Sequence, residues 1–427
     1  MPSATLKAPL KVPVKQPVKA ASTAPQFDLY AWLVDTKKFK ATYFFVGIFI
    51  ALLACSCAGR LAATKNDFKN FYRFHSRINP TSFFYPTENQ MISIVKANSK
   101  PEQTIVILGG NSIFYGLGQS VSDLWSVELQ RKLGPDFAVF NFAMPASSAF
   151  ESAYWAAESL LKQHRKVLFA TVSIPAQSGS PEGSEYYGYA FWDAKEKHLL
   201  CNDRSRDALI GKQLSSFDTK KQTKLDELRL RAKLDSLLYF EDLWNSIGYS
   251  NLFTVYSGLT KESPLKARKY FEDNETSGGC DPLETRFKSA LDVGSVRSYC
   301  KSAFEYQTAI PRPSWWTDAS VNMHALVPDP FKRNCLVVVS THAPGTLSQL
   351  NAIENERERL ASIKSVETWS QSGYQSLSMR GKLVDEDFRD SRHLLPSGGK
   401  KVAQVVATKI IEMNNSLYAH PATSNVH

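Results

Sequence analysis

The chain has 427 residues, 43% of them hydrophobic and 22% charged, which is enough apolar material for one large α/β domain with insertions or for two smaller domains. That balance excludes a disordered or fibrous chain. A net charge of +10 raises the question of nucleic acid, but Lys7, Lys11, Lys15, Lys19, Lys37, Lys38 and Lys40 face only Asp28 and Asp35, so about half of the excess sits in the first forty residues. The remainder is mildly basic, and no nucleic-acid partner is expected.

Residues 1–40 form a tail in which APLK, VPVK and QPVK repeat a proline and a lysine at fixed spacing, with no apolar face at helical spacing. Such a segment is extended and solvated, a leader held near anionic headgroups by its lysines; docking of a proline-reading partner is the alternative. Residues 41–59, ATYFFVGIFIALLACSCAG, carry no charge and are long enough as a helix to cross a hydrocarbon core of about 30 Å. Tyr43, Phe44 and Phe45 at one end and the lysines before them favour a single membrane span over a buried core helix. The positive-inside bias places the tail in the cytoplasm and everything after Arg60 on the periplasmic or extracellular side. A cleaved signal would have a shorter leader, which argues for a retained anchor; Leu52, Leu53, Ala54 and Cys55 imitate a lipoprotein cleavage site, the alternative fate of this segment. Residues 60–100 read as a juxtamembrane helix and connector.

At 104 the pattern changes. TIVILGG is a short apolar run with β-branched residues that ends in two glycines, as in a strand buried on both faces. A helix is expected over roughly 120–133, a strand at FAVFNF (137–142), a helix from about Ala146 to Lys162, and a strand at KVLFATVSI (166–174). This alternation predicts a parallel sheet with right-handed crossovers and helices on both faces, a three-layer α/β/α domain. Its first part is 101–175. From 176 to 333 the rhythm breaks into a large insertion or lid subdomain with an amphipathic helix around 218–245. It resumes in a second part, 334–415: a strand at CLVVVSTH (335–342), a charged helix over 347–363, a short segment ending near Thr368, and a final helix from about Ser397 to Met413, before a tail at 416–427. Gly398 and Gly399 in the first turn of that helix predict a close approach of neighbouring backbone.

Of six cysteines, Cys55 and Cys57 fall in the span. Cys280 and Cys300, in one loop-rich stretch, are the candidate disulfide of an oxidising compartment, while Cys335 reads equally well as a buried thiol. No CxxC spacing or histidine-cysteine cluster suggests a metal, and no cofactor is expected.

Two segments carry the chemistry. GGNSIFYG places Ser112 on the turn after the first strand, at the edge where open parallel sheets bind ligands. There it can act as a nucleophile or simply cap a helix. FRDSRHLLPSGGKKVA puts Asp390 and His393 on the loop before the last helix, three residues apart, where a carboxylate can orient an imidazole whose other nitrogen faces a serine. Together these blocks resemble those of the SGNH, or GDSL-type, hydrolase superfamily, over about 104–175 and 335–413. The resemblance implies a flavodoxin-like SGNH domain with Ser112 as nucleophile and Asp390 and His393 completing the triad. It also places Ala143 of NFAMPASS where the family's second oxyanion donor is expected, a glycine there. The first block reads Asn111 in place of aspartate, itself a candidate for oxyanion or substrate binding, and the third, VSIPAQSG, lacks the family's asparagine. That leaves Ser173, Gln177 or Ser178 as its substitute in oxyanion or substrate binding.

Single-span, externally facing members look like those of cell-envelope O-acylation, in teichoic acid D-alanylation and alginate O-acetylation. By that analogy the expected activity is an esterase or O-acyltransferase acting on an acylated glycan or other ester, beside a multi-span membrane acyltransferase. A non-catalytic scaffold that binds glycan or anchors such a complex is the rival. A phosphate-binding module built on the GGNS turn leaves Asp390 and His393 unexplained. His342 in STHAPG also falls on the ligand edge, with a structural role favoured. Trp192, Trp244, Trp315 and Trp316 are read as core or lid packing before a sugar-stacking surface.

Overall fold

In the first strand, β1 (Thr104–Leu108), every residue is buried and successive side chains enter different cores: Ile105 and Ile107 join one apolar cluster, Val106 and Leu108 another. The same division holds in β3 (Val167–Ser173), where Val167 and Phe169 part from Leu168 and Ala170, and in β4 (Cys335–Val339), where Val337 and Val339 part from Leu336 and Val338. A sheet covered on both faces needs apolar residues at consecutive positions, which is why these strands are unbroken hydrophobic runs. With β2 (Phe137–Asn141) and β5 (Gln375–Ser378) they form one sheet in the order β2-β1-β3-β4-β5, and every pairing is parallel. The computed structural model describes residues 41–64, 86–117, 119, 123–144, 149–150, 152–173, 185–208, 219–247, 327–348, 352–389 and 392–418.

Helices cover both faces. On one side lie α2 (Glu88–Asn98), α5 (Ser152–Lys162), α6 (Glu185–Glu196), α7 (Thr219–Leu238) and α8 (Ala352–Gln371), contributing Met91, Trp155, Trp192, Ala232 and Trp369 to the core. The other face packs α3 (Ser112–Tyr115), α4 (Trp125–Leu133) and α9 (Pro396–Tyr418) through Phe114, Trp125 and Val406. The expected α/β class and parallel sheet are therefore present.

Several boundaries move. The stretch expected as a juxtamembrane helix and connector contains the helix α2, capped by Thr87 in a reciprocal capping box with Gln90, but Met91 and Val95 are fully buried in the domain core. The described parts of 176–333 also belong to that core through Phe191, Trp192 and Ala232. Thr368 lies inside α8, which runs eight residues further than expected before the polar strand β5. The expected helix over 120–133 is α4, which begins at Trp125 and ends at Leu133 as foreseen, and that over 218–245 is α7, an elbow at Tyr239 and a second helical stretch at 240–247.

N-terminal to the domain, α1 (Ala41–Thr64) is long and apolar enough over Tyr43–Thr64 to cross a membrane, and it continues past the charge-free run. Two compact units divide the chain within α1, after Leu52. In the first unit the described side chains from Tyr43 to Leu52 are exposed. The second unit holds everything else described. Cys335 is a fully buried free thiol. Cys280, Cys300, Gln177, Ser178, Asp390, Trp315 and Trp316 lie outside the described residues.

Candidate active site

The strand order fixes where a site can form. From β1 the chain crosses to β2 on one side and then returns to β3 on the other, so the carboxyl ends of β1 and β3 form the switch point where open α/β sheets place their ligand crevice. Ser112 stands at the β1 side of that crevice. Two glycines bring it there. A β-carbon at Gly109 would stand 2.7 Å from the ring of Phe169, and Gly110 has φ of +96° with Thr171 Oγ1 only 2.8 Å from where its β-carbon would be. Only glycine takes that left-handed conformation at this separation without strain. The next residue, Asn111, is the N-cap of α3: its side chain accepts from the Ile113 N–H at 3.0 Å. Capping is thus performed by Asn111, and the Ser112 hydroxyl is left for another partner.

That partner comes from the far end of the chain. The loop before α9 is closed by an antiparallel bridge between Phe388 and Leu394, by Arg389 N–H donating to His393 O at 2.7 Å, and by Leu395 N–H donating to Asp387 O at 2.8 Å. Buried Asp387 fixes the base of the loop, accepting from Val384 N–H at 2.8 Å and from Lys401 Nζ at 2.6 Å. The close approach of backbone expected at Gly398 and Gly399 is found at Gly398, where a β-carbon would strike the Asp387 backbone; at Gly399 the neighbours are side chains instead, the Gln119 amide nitrogen 2.7 Å from where a β-carbon would stand. Gln119, fully buried, accepts from Trp125 N–H at 2.8 Å and donates to Leu394 O at 3.4 Å, so the loop after α3 is joined to the residue following His393. The outcome is a hydrogen bond of 2.8 Å between Ser112 Oγ and His393 Nε2.

The expected oxyanion donors fare differently. Ala143 follows β2 as foreseen, but its N–H is bonded to Asn141 Oδ1 at 3.1 Å and the residue is buried. The Asn141 amide in turn donates to Phe114 O at 2.9 Å, locking the β2 loop beneath α3. Ala143 therefore does not offer its N–H to a ligand in this arrangement, because a side chain two residues back has taken it. Asn111 has its oxygen committed to the cap and retains Nδ2 as a donor. Ser173 ends β3 at the crevice, half-buried, with its carbonyl accepting from Ser340 N–H at 2.9 Å. The Ser112 N–H makes no hydrogen bond among the described residues.

His342, past the end of β4, is buried and accepts from Arg392 Nε at 3.1 Å. Burial first, then Arg392 and Arg380, push its imidazole down to about 3, so it stays neutral and serves as an acceptor. It supports the residue next to His393, in keeping with the structural role favoured for it. Trp192 is core, whereas Trp244 is 57% exposed. Sequence reasoning missed Asn141 and Gln119. Asn141 had a signal, a polar residue closing an otherwise apolar strand; Gln119 had none. No protein-family model matches the chain, and no curated protein matches it.

Proposed function

We propose that the chain is a membrane-anchored serine acyl-ester enzyme of SGNH type, acting outside the cytoplasm on an acylated envelope glycan or related ester. The observation that carries this reading is the 2.8 Å hydrogen bond between Ser112 Oγ and His393 Nε2 at the switch point of a parallel sheet. In the proposed reaction His393 Nε2 takes the hydroxyl proton as Ser112 Oγ attacks the ester carbonyl. The tetrahedral intermediate collapses with cleavage of the bond to the alcohol oxygen, which leaves with the proton from His393. Water or a sugar hydroxyl then attacks the acyl-serine, giving its proton to His393, and the serine is restored. Asp390 is assigned the role of orienting the imidazole, and the Ser112 N–H that of an oxyanion donor. The lysine-rich tail assigns the N-terminus to the cytoplasm and the domain to the periplasmic or extracellular side, where a multi-span acyltransferase would be a partner.

A second reading has an observation of its own. With the Ala143 N–H held by Asn141, the oxyanion site has one donor fewer than expected, and losing one costs about 100- to 1000-fold in rate. This favours a scaffold that binds glycan or anchors an acyltransferase without doing chemistry. A fluorophosphonate probe separates the two: the enzyme reading expects covalent labelling of the intact chain that disappears in Ser112→Ala. Folded wild-type protein that does not label supports the scaffold.

A further inference from the structure

One surface is too apolar for its exposure. Leu230, Leu234 and Leu237 of α7, then Phe240, Trp244 and Ile247 of the stretch after the elbow, are each 45–62% exposed. On α7 the three leucines recur at i, i+4 and i+7, so they form one stripe, with the buried Ala232 on the opposite side facing the domain core. Between the two helical stretches Leu230, Leu234, Phe240 and Trp244 line a groove of about 780 Å³, with Glu227, Arg231 and Glu241 among its charged residues. Phe240 and Trp244 stack with ring centroids 6.5 Å apart and present a flat aromatic face at its end.

The groove's neighbour identifies its occupant. The elbow between the two stretches packs on the last turns of α1: Ser56 Oγ donates to Leu237 O at 2.8 Å, a β-carbon at Gly59 would collide with the Tyr239 carbonyl, and the Arg60 guanidinium lies 5.1 Å from the Tyr239 ring centroid. Tyr239 holds a left-handed φ of 53°, and from the domain side Lys197 Nζ lies 4.8 Å from the same ring. The elbow is therefore fixed between the end of α1 and Lys197, whose side chain is buried against Asp193, Asp235 and Asp242. The charge-free part of α1 ends at Gly59, so Ser56 and Gly59 mark the last turn before the first charge. If α1 spans a bilayer, that turn lies at the boundary of hydrocarbon and headgroups. The leucine stripe begins at this contact and runs back from it for about two helical turns, or about 10 Å. Arg229, Arg231 and Lys233 border it, Arg229 paired with Asp226 and Arg231 with Glu241.

We propose that this face rests in the interfacial zone of the phospholipid bilayer that α1 enters, holding the domain against the membrane surface. The proposal depends on reading α1 as a span, and its test keeps the two apart. Full-length protein is placed in nanodiscs of phosphatidylcholine and phosphatidylglycerol doped with a phospholipid that carries a diazirine on its acyl chain, and photolabelled peptides are mapped by mass spectrometry. Labelling is expected in α1 and in 230–247, with none in α4, whose Trp125 and Leu129 are buried. In Leu230→Glu/Leu234→Glu, two exposed positions where the fold should be unaffected, label in 230–247 is lost and label in α1 is kept. An α1 that labels while 230–247 does not overturns the proposal, and means that another segment of this chain, a second copy or a protein partner covers the face. Absence of label in α1 overturns the span reading itself.

Discussion

Ser112 Oγ and His393 Nε2 are hydrogen-bonded at 2.8 Å across a sequence separation of 281 residues. Neither residue reaches the other through its own element. Ser112 is set by the cap that Asn111 makes, and His393 by a loop closed on Asp387 and held to Gln119. If His393 is the base, His393→Gln should reduce fluorophosphonate labelling by roughly 100- to 10,000-fold without unfolding the chain, since the loop's closing bonds are made by main-chain groups and by Asp387. Labelling time courses on folded protein measure this directly. A labelling rate unchanged in the variant would remove His393 from the mechanism.

The turn that presents Ser112 makes a second prediction, about stability. Gly110→Ala incurs both a left-handed φ of +96° and a collision with Thr171 and Val172, whereas Gly134→Ala incurs a φ of +77° in open space. The first should cost about 2–4 kcal/mol and the second about 1 kcal/mol, measured by urea unfolding in detergent. Equal losses would show that the approach of Gly110 to β3 is not tight.

How far the fold could be read in advance depended on burial. Strands β1, β3 and β4 announced themselves because a doubly covered strand must be apolar at successive positions; β2, at one edge, is also an apolar run although Val139 and Phe140 are half-buried. The fifth, Gln375–Ser378, is an edge strand whose four residues are all half-buried, so it can be polar and leaves no hydrophobic run to detect. Ser112 and His393 were visible as motif residues, and the crevice followed from the strand alternation. The engagement of the Ala143 N–H was not visible, because it depends on the Asn141 side chain folding back two residues, a geometry that spacing does not encode. In the same way, the i,i+4 spacing of Asp193 and Lys197 suggests one ion pair, but nothing in the sequence joins Lys197 to Asp235 and Asp242.

Those partners give a third prediction. Lys197 Nζ lies 2.9 Å from Asp193, 2.9 Å from Asp235 and 3.0 Å from Asp242, all buried, with buried Glu88 close behind. Burial opposes the lysine's charge, but Asp193, Asp242 and Asp235 outweigh it and hold its pKa well above the ordinary range. One cation cannot neutralise this many acids, so part of the cluster keeps its protons. Removing the cation by Lys197→Met should cost about 3–5 kcal/mol, and adding Asp193→Asn should recover part of it.

The same cluster sets a pH dependence. Burial pushes the Asp193 carboxyl up against the pull of Lys197, with Asp235 and Asp242 adding to the rise, to about 8. Between about 4, where an unfolded aspartate titrates, and about 8, the folded chain holds a proton that the unfolded chain has released. The stability this group contributes is complete below that window and is lost as pH rises through about 8. The urea midpoint should therefore fall from pH 6 to pH 9 in the wild type and fall less in Asp193→Asn, which is always neutral. A wild-type midpoint that rises over this range would place the charges differently.

His342 makes the opposite prediction. Its folded pKa of about 3 lies below the ordinary histidine value of about 6.5, so in between the unfolded chain binds a proton that the folded chain refuses. The stability of neutral His342 is present above that ordinary value and is lost as pH falls toward 3. His342→Gln keeps an acceptor for Arg392 and removes the titration, so it should resist acid better than wild type at pH 5 when each is compared with its own stability at pH 7. His342→Leu removes the acceptor and leaves Arg392 Nε, the neighbour of His393, without that bond. A loop displaced by about 1 Å costs up to about 100-fold in rate, so labelling at Ser112 should slow in the leucine variant and recover in the glutamine variant. If both variants label at the wild-type rate, the Arg392 contact does not position His393, and His342 acts on stability alone.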